Sequence, residues 1–571
     1  MKISLMIALF SYCLTSYSTT NEIWDRPDWS ENASIKVGEA RSNIYDLDEE
    51  TLKTWNRNGR IHALKYPVEV SGIFLPWRPM KWALGNPKEF TKRLTENGVF
   101  LHDENSPDGI PFSDINGFFD WMGLSKYPEH EGEGVFFVPK PKEMIDGDRM
   151  GLTIIQSEQG EKLTFSCATC HATTLFGKQI IGLNNKRPRT NELFVYAGKF
   201  LPMIHPWLFQ WSTGASKGET EMYTQTRINV ASIGALAPMA LGVDTSLAQV
   251  ALSLAKRNED DYISKNPNLE RYPRYNELQK SRADSKPAVW WNLKYKTRWL
   301  SDGSIVQGNP IFTNFLWNEI GRGADMKEIE QWLKDNKQTV MELTTSIFNT
   351  PAPRWTDFFN AETIDIEKAK RGEQLFMSSC KGCHGVYEKG WSSTRANELT
   401  KKELLATTKV KYHEKTPVKN VGTDSLRYEG MKYFADDLNR LSISKWMKTV
   451  VVPQEGYVPP PLVGIWARYP YLHNNSIPTL CDLLTPVKDR TKKFYQGTSD
   501  NVQTDFDFNC VGFPVGDKAP TSWSTVSDAL IDTSRPGLQN IGHEKMLFDE
   551  SGKEKFSQTQ KMDLIEFLKT L

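Results

Sequence analysis

A Cys-x-x-Cys-His box closes the stretch Glu373-Gln374-Leu375-Phe376-Met377-Ser378-Ser379-Cys380-Lys381-Gly382-Cys383-His384-Gly385. Two thiols at this spacing can add to the two vinyl groups of one porphyrin, and the histidine that follows can then bind the iron as its proximal ligand. The box recurs as Cys167-Ala168-Thr169-Cys170-His171. A redox dithiol or half of a zinc site uses the same cysteine spacing, but the repetition favours haem. The sequence therefore predicts two covalently bound haem c groups, the first at Cys167, Cys170 and His171 and the second at Cys380, Cys383 and His384.

The length and charge of the chain limit the remaining possibilities. Its 571 residues fit two or three domains. Lys and Arg total 70, as do Asp and Glu, so the zero net charge argues against a nucleic-acid partner. The prolines of Thr350-Pro351-Ala352-Pro353 indicate a domain boundary. We predict a mainly α fold with long loops, made of a signal peptide (1–18), an N-terminal extension packed on the first haem domain (19–148), a first cytochrome c-like haem domain (149–355) and a second cytochrome c domain (356–571).

The first residues are typical of an export signal. A charged Met1-Lys2 is followed by an apolar run to Leu14 and by small residues at Ser16 and Ser18. The run is too short to span a membrane, and no later run is long enough to do so. We therefore expect a periplasmic or secreted bacterial protein without a membrane span, with lipid attachment at Cys13 as an alternative.

Helical patterns frame the second box. Asp365 is a plausible N-cap for a helix that runs into Cys380 with Gly372 on its apolar side, and residues 556–571 form a final amphipathic helix. A third helix is expected over 244–255 and a long loop over 258–282. The aromatic groups at 289–293 and 311–317 could line a pocket at the first haem or belong to the core.

In an oxidising compartment, Cys481 and Cys510 are expected to form a disulfide, with two free thiols as the alternative.

Several motifs resemble a known family. The box with Gly372, Leu375 and Phe376 matches the class I cytochrome c pattern. Further matches follow in Val421-Gly422-Thr423-Asp424, in the run from Pro461 to Leu480 (PLVGIWARYPYLHNNSIPTL) and in Lys493-Phe494-Tyr495-x-Gly497. Together they resemble the dihaem cytochromes related to rubber oxygenase, a group within the bacterial dihaem cytochrome c peroxidase superfamily. The resemblance covers residues 360–571 best and residues 151–177 less well.

The resemblance implies different roles for the two haems. The first would keep an open or exchangeable position for dioxygen or peroxide, with His171 as proximal ligand at the catalytic iron. The second would be a six-coordinate electron reservoir, with His384 as proximal ligand and His543 of Gly542-His543-Glu544 as distal ligand. His473 competes with His543 for this role, and Met431 or Met546 is a third option. The other histidines have no ligand context; they are His62, His102, His130, His205 and His413.

Three functions are compatible with these features. The first is an exported dihaem oxidoreductase with oxygen or peroxide chemistry, served by a small redox protein or a quinol-linked electron donor and a small-molecule oxidant. The second is an electron-transfer cytochrome without catalytic activity. A redox sensor ranks last because no signalling module is attached. The chain departs from the family at Asn475, where glycine is usual, and in a longer 493–513 stretch, and the pocket aromatics do not align, so the substrate class does not transfer.

Overall fold

The computed structural model describes residues 23–24, 26–100, 112–142 and 148–571. The predicted signal peptide, Cys13 and His102 lie outside these residues. Helices contain 44% of the residues and strands 11%, so the fold is mixed, with small sheets, rather than mainly α. Within the described part of the chain, no helix is both long and apolar enough to cross a membrane.

The helices and strands are short for a chain of this length. The α-helices are α1 (Glu49–Lys65), α2 (Trp77–Gly85), α3 (Pro87–Glu96), α4 (Ile115–Trp121), α5 (Ala168–His171), α6 (Thr190–Phe200), α7 (Pro206–Thr213), α8 (Lys217–Ala231), α9 (Ser246–Ala255), α10 (Pro267–Arg271), α11 (Pro310–Gly321), α12 (Met326–Asp335), α13 (Lys337–Asn349), α14 (Ile366–Ser379), α15 (Lys381–His384), α16 (Lys401–Leu405), α17 (Leu426–Gly430), α18 (Ala435–Arg440), α19 (Ser442–Trp446), α20 (Leu480–Leu483) and α21 (Gln558–Lys569). The strands are β1 (Leu75–Pro76), β2 (Leu152–Ser157), β3 (Gly160–Phe165), β4 (Ala172–Leu175), β5 (Lys178–Ile181), β6 (Ile305–Gln307), β7 (Val386–Lys389), β8 (Thr407–Lys411), β9 (Val450–Val451), β10 (Lys493–Tyr495) and β11 (Leu530–Asp532).

All the strand pairs are antiparallel. The one three-stranded sheet of the described residues has the order β1-β3-β2. Two hairpins matter for function: β4–β5 directly follows the first box, and β7–β8 directly follows the second. Each hairpin continues the chain away from the histidine of its box.

Two large apolar cores hold the structure together, and both draw on the two predicted haem domains. In the first core, Leu64 and Phe348 from α1 and α13 lie with Leu438 and Val451 from beyond residue 355. Strand β6 also pairs with β9 through Ile305 and Val451. The second core contains Trp291 alongside aromatic and aliphatic residues of the 356–571 segment. The segments 149–355 and 356–571 contribute to the same hydrophobic cores. The domain limits given by the sequence stay a prediction.

The N-terminal segment packs on the first core through a close helix contact. A Cβ atom at Gly59 in α1 would lie 2.0 Å from the carbonyl oxygen of Glu342 in α13. Only glycine allows this approach. Asn58 donates to the carboxylate of Glu342 over 3.1 Å, which fixes the register of the two helices.

The crossing of α14 and α21 confirms the helices predicted around the second box. Asp365 caps α14 by accepting from the backbone N–H groups of Glu367 and Lys368, both at 3.1 Å. A Cβ atom at Gly372 would lie 2.0 Å from the carbonyl oxygen of Asp563 in α21. The glycine on the apolar side of α14 therefore allows the two helices to cross in close contact.

Three further predictions are refined. The helix expected over 244–255 begins at Ser246, and Asp244 accepts from the Ser246 N–H at 3.1 Å. The expected loop at 258–282 contains α10 and a 3-10 turn at Glu277–Gln279. The disulfide is present, with the sulfur atoms of Cys481 and Cys510 2.10 Å apart.

Candidate haem site

Each Cys-x-x-Cys-His box forms a single helical turn. The N–H of His171 donates to the carbonyl of Cys167 and that of His384 to the carbonyl of Cys380, both at 3.0 Å. Residues i, i+3 and i+4 of a helix lie on one face. Both cysteines and the histidine of a box therefore face the same side, as attachment to one porphyrin requires.

Backbone carbonyls orient the histidines of both boxes. Nδ1 of His171 lies 2.9 Å from the carbonyl oxygen of Ala288, and Nδ1 of His384 lies 2.9 Å from that of Pro460. A carbonyl oxygen can only accept, so Nδ1 carries the proton and Nε2 keeps its lone pair. Burial lowers the pKa of both histidines to about 4. Both rings are therefore neutral at pH 7 and present the nitrogen that binds a metal.

Sequence reasoning missed these two carbonyls. They lie 117 and 76 residues from the histidines they orient, so no local pattern connects them. A weak signal exists, because Ala288 follows Pro287 and Pro460 lies between two prolines. Proline lacks an N–H and favours extended backbone, which leaves neighbouring carbonyls free to accept from a side chain.

Three of the four box cysteines, Cys167, Cys170 and Cys380, have raised thiol pKa values. Burial raises the pKa of Cys167 to about 11 and the pKa values of Cys170 and Cys380 to about 12. A catalytic cysteine instead has a lowered pKa. Among the described residues, no group of three or more His, Cys, Asp or Glu side chains is arranged to hold a metal ion. Of the alternatives raised by the spacing, thioether attachment fits these buried thiols best.

Both boxes line one cavity of about 490 Å³. The volume lies within the range of cofactor sites. The boxes come from segments more than two hundred residues apart, so the fold brings them together. The cavity surface also carries His473, His543 and Met546, whereas Met431 lies in the first core.

His543 faces His384 across the cavity. The centroids of the two rings are 6.2 Å apart. A metal bonded to one nitrogen of each ring, at about 2 Å, would hold the centroids roughly 6 Å apart. Nδ1 of His543 is buried without a hydrogen-bond partner among the described residues. The spacing of the two rings fits an iron between them.

His473 has a different environment. Its ring stacks on Tyr457 with centroids 4.1 Å apart, and Nε2 lies 3.0 Å from the Tyr457 hydroxyl. Its backbone carbonyl accepts from the N–H of Lys286 at 2.7 Å. The structure thus pairs His384 with His543 and holds His473 against a tyrosine.

Among the described histidines without a predicted role, His62 and His205 do not line the cavity. His62 bonds to Glu342 at 2.8 Å, and His205 caps α7. His413, however, places Nε2 3.0 Å from the carbonyl oxygen of Cys383. It therefore supports the second box from outside the cavity, a contact that the sequence did not indicate.

The aromatic groups near the first box are divided between pocket and core. Trp317 lines the cavity, and the ring centroid of Trp290 lies 5.6 Å from that of His171. Phe312 and Phe315 are buried in the first core. Core packing therefore accounts for much of this group, and Trp317 is the member that borders the cavity.

The helices crossed at Gly372 and the cysteine box with an oriented histidine agree with a cytochrome c-like domain, which suggests a haem-based redox role. Residues 456–495 match the family model described as RoxA-like, cytochrome c-like, which supports a RoxA-like cytochrome and suggests covalent haem c. This stretch contains Pro460, whose carbonyl orients His384.

Two proteins of Sinorhizobium fredii are similar to this chain. Uncharacterized protein y4iJ is 28% identical over 294 residues, which is 43% of this chain and 45% of that protein. Uncharacterized protein y4iM is 29% identical over 232 residues, which is 36% of this chain and 49% of that protein. The match thus spans about half the length of each relative.

Proposed function

We propose that this protein is a periplasmic or secreted dihaem c-type cytochrome with oxidoreductase activity. Cys167 and Cys170 would hold the first haem with His171 as proximal ligand. Cys380 and Cys383 would hold the second, with His384 and His543 on opposite faces of its iron. A small redox protein or a quinol-linked donor would supply electrons, and dioxygen or peroxide would be the oxidant.

The asymmetry between the two boxes carries the proposal. His384 has an imidazole partner at 6.2 Å, whereas the other histidine of the cavity wall, His473, is bonded to Tyr457, and the wall also contributes amide side chains. There, Asn191 donates to Gln249 over 2.8 Å, and Gln249 donates to the carbonyl of Gly321 over 2.7 Å. These hydrogen bonds hold the two amides in place, so the amides shape the pocket but are not available as metal ligands.

The protein contributes orientation and polarity to the chemistry. A haem iron with one open position can bind dioxygen or peroxide, and a six-coordinate haem nearby can store an electron. The Ala288 carbonyl fixes the tautomer and direction of His171. The cysteines of the first box are shielded from bulk water, and this burial raises the pKa of both thiols.

The alternative is an electron-transfer cytochrome without catalytic activity. His473 supports it, because this histidine lines the same cavity and could bind the first iron if it left Tyr457. The two functions differ in the number of protein ligands at the first iron.

Haem counting and electron paramagnetic resonance test the proposal. A pyridine haemochrome assay should give two haems per chain, both resistant to acid-acetone extraction. The oxidised protein should show one high-spin and one low-spin ferric signal. Replacing Cys167 and Cys170 by Ser should remove the high-spin signal, and replacing Cys380 and Cys383 should remove the low-spin one. One haem per chain would end the dihaem proposal, and two low-spin signals would favour the electron carrier.

A further inference from the structure

Six lysines and arginines line the cavity, and three of them, Lys286, Lys296 and Arg468, form a cluster in which Arg468 acts on both lysines. Nη1 of Arg468 donates to the carbonyl of Pro461 over 3.2 Å, while its Nε is buried without a partner among the described residues. The ammonium of Lys286 donates to the carbonyls of Arg468, at 3.0 Å, and Pro470. No described side chain forms an ion pair with any of the three.

Arg468 repels the ammonium groups of both lysines. Burial is the main cause of their lowered pKa values, and Arg468 lowers those of Lys286 and Lys296 further. The titratable groups that act on Arg468 are Tyr387 and Tyr471, and burial raises the pKa of both, so neither supplies a negative charge at pH 7. Buried charge without a counter-charge costs several kcal/mol per ion. A bound anion would supply the missing counter-charge and so stabilise the cluster.

The cluster lies between the segments that orient the two haem histidines. The carbonyl of Pro460 accepts from His384, and the next carbonyl, that of Pro461, accepts from Arg468. Lys286 precedes by two residues Ala288, whose carbonyl holds His171. An anion bound here would therefore be close to the haem groups proposed at both boxes.

We propose that Arg468, Lys286 and Lys296 form a carboxylate-binding subsite that holds haem propionate groups. A guanidinium matches a carboxylate with two parallel N–H donors, and its unpaired Nε leaves such a pair available. Lys286 keeps one ammonium proton beyond its two carbonyl contacts, and Lys296 offers all three. This inference rests on the proposed function, since it requires covalent haem at the boxes.

The test measures the reduction potentials of the holoprotein by spectroelectrochemical titration. The variants are Arg468→Met, Arg468→Lys and Lys296→Met. Lys294→Met is the matched control, because Lys294 lies on the same turn as Lys296 but faces Arg60 rather than the cavity. Loss of a cation beside a propionate should favour the ferric state. At a fixed potential the ratio of oxidised to reduced haem should rise about tenfold in Arg468→Met and Lys296→Met. For a one-electron couple this ratio corresponds to a midpoint potential lower by about 59 mV. It should rise less in Arg468→Lys and stay constant in Lys294→Met.

Unchanged potentials in both Met variants, with two haems still attached, would overturn the inference. If Arg468→Met does not fold, Lys296→Met gives the same test. Free carboxylates are the other source of such an anion, so the wild type is also titrated in chloride and in formate at constant ionic strength. Potentials that follow the formate concentration would overturn the propionate assignment. A haem count below two would instead refute the proposed function, so the two failures are distinguishable.

Discussion

Replacing His543 by glycine tests the ligand pair most directly. His543 has a φ of 55°, in the left-handed region, where a residue with a Cβ atom is strained by about 1 kcal/mol or more. Glycine relieves this strain, so His543→Gly should keep the local backbone while deleting the imidazole 6.2 Å from that of His384. With one low-spin iron of two lost, the high-spin share of the haem should rise from half to all.

The assay is electron paramagnetic resonance with imidazole rescue. The deleted ring leaves a space of its own size, so added imidazole should restore the low-spin signal, while the haem stays bonded through Cys380 and Cys383. His473→Ala is the control and should keep the low-spin signal, because His473 bonds to Tyr457. A low-spin signal that survives in His543→Gly and disappears in His473→Ala would refute the assignment.

Two predictions concern stability. Gly372→Ala would place a Cβ atom 2.0 Å from the Asp563 carbonyl oxygen, so α14 and α21 must separate, and calorimetry should show that the free energy of unfolding falls by about 1–3 kcal/mol. The control is Gly198→Ala, at a helical glycine with open space around its Cβ position, and it should be neutral or slightly stabilising. Equal effects of the two substitutions would contradict the packing argument. The double change Cys481→Ser and Cys510→Ser should cost about 3–4 kcal/mol in denaturant unfolding, because the disulfide closes a loop between residues 29 apart, and an unaltered midpoint would show that it does not restrain the unfolded chain.

Local features of the site followed from the sequence, and distant ones did not. The spacing of each box and the N-cap at Asp365 depend on neighbours within four residues, so the turn and the helix were predictable. The Ala288 and Pro460 carbonyls depend on tertiary contacts, and His543 was found only through the family resemblance. The mainly α prediction failed because hairpins such as β4–β5 and β7–β8 are too short to give a clear alternating pattern.

The cavity wall explains why the site needs the whole chain. Trp291 donates from its indole to the carbonyl of Val463 over 2.8 Å, and Asn292 donates to that of Pro461 over 3.0 Å. From the same side, Lys186 donates to the carbonyls of Ala467, at 3.0 Å, and Tyr469. These donors from before residue 355 fix the 461–470 segment, which in turn positions Arg468 and lies next to the Pro460 carbonyl. The orientation of His384 therefore depends on residues of the segment that carries the first box.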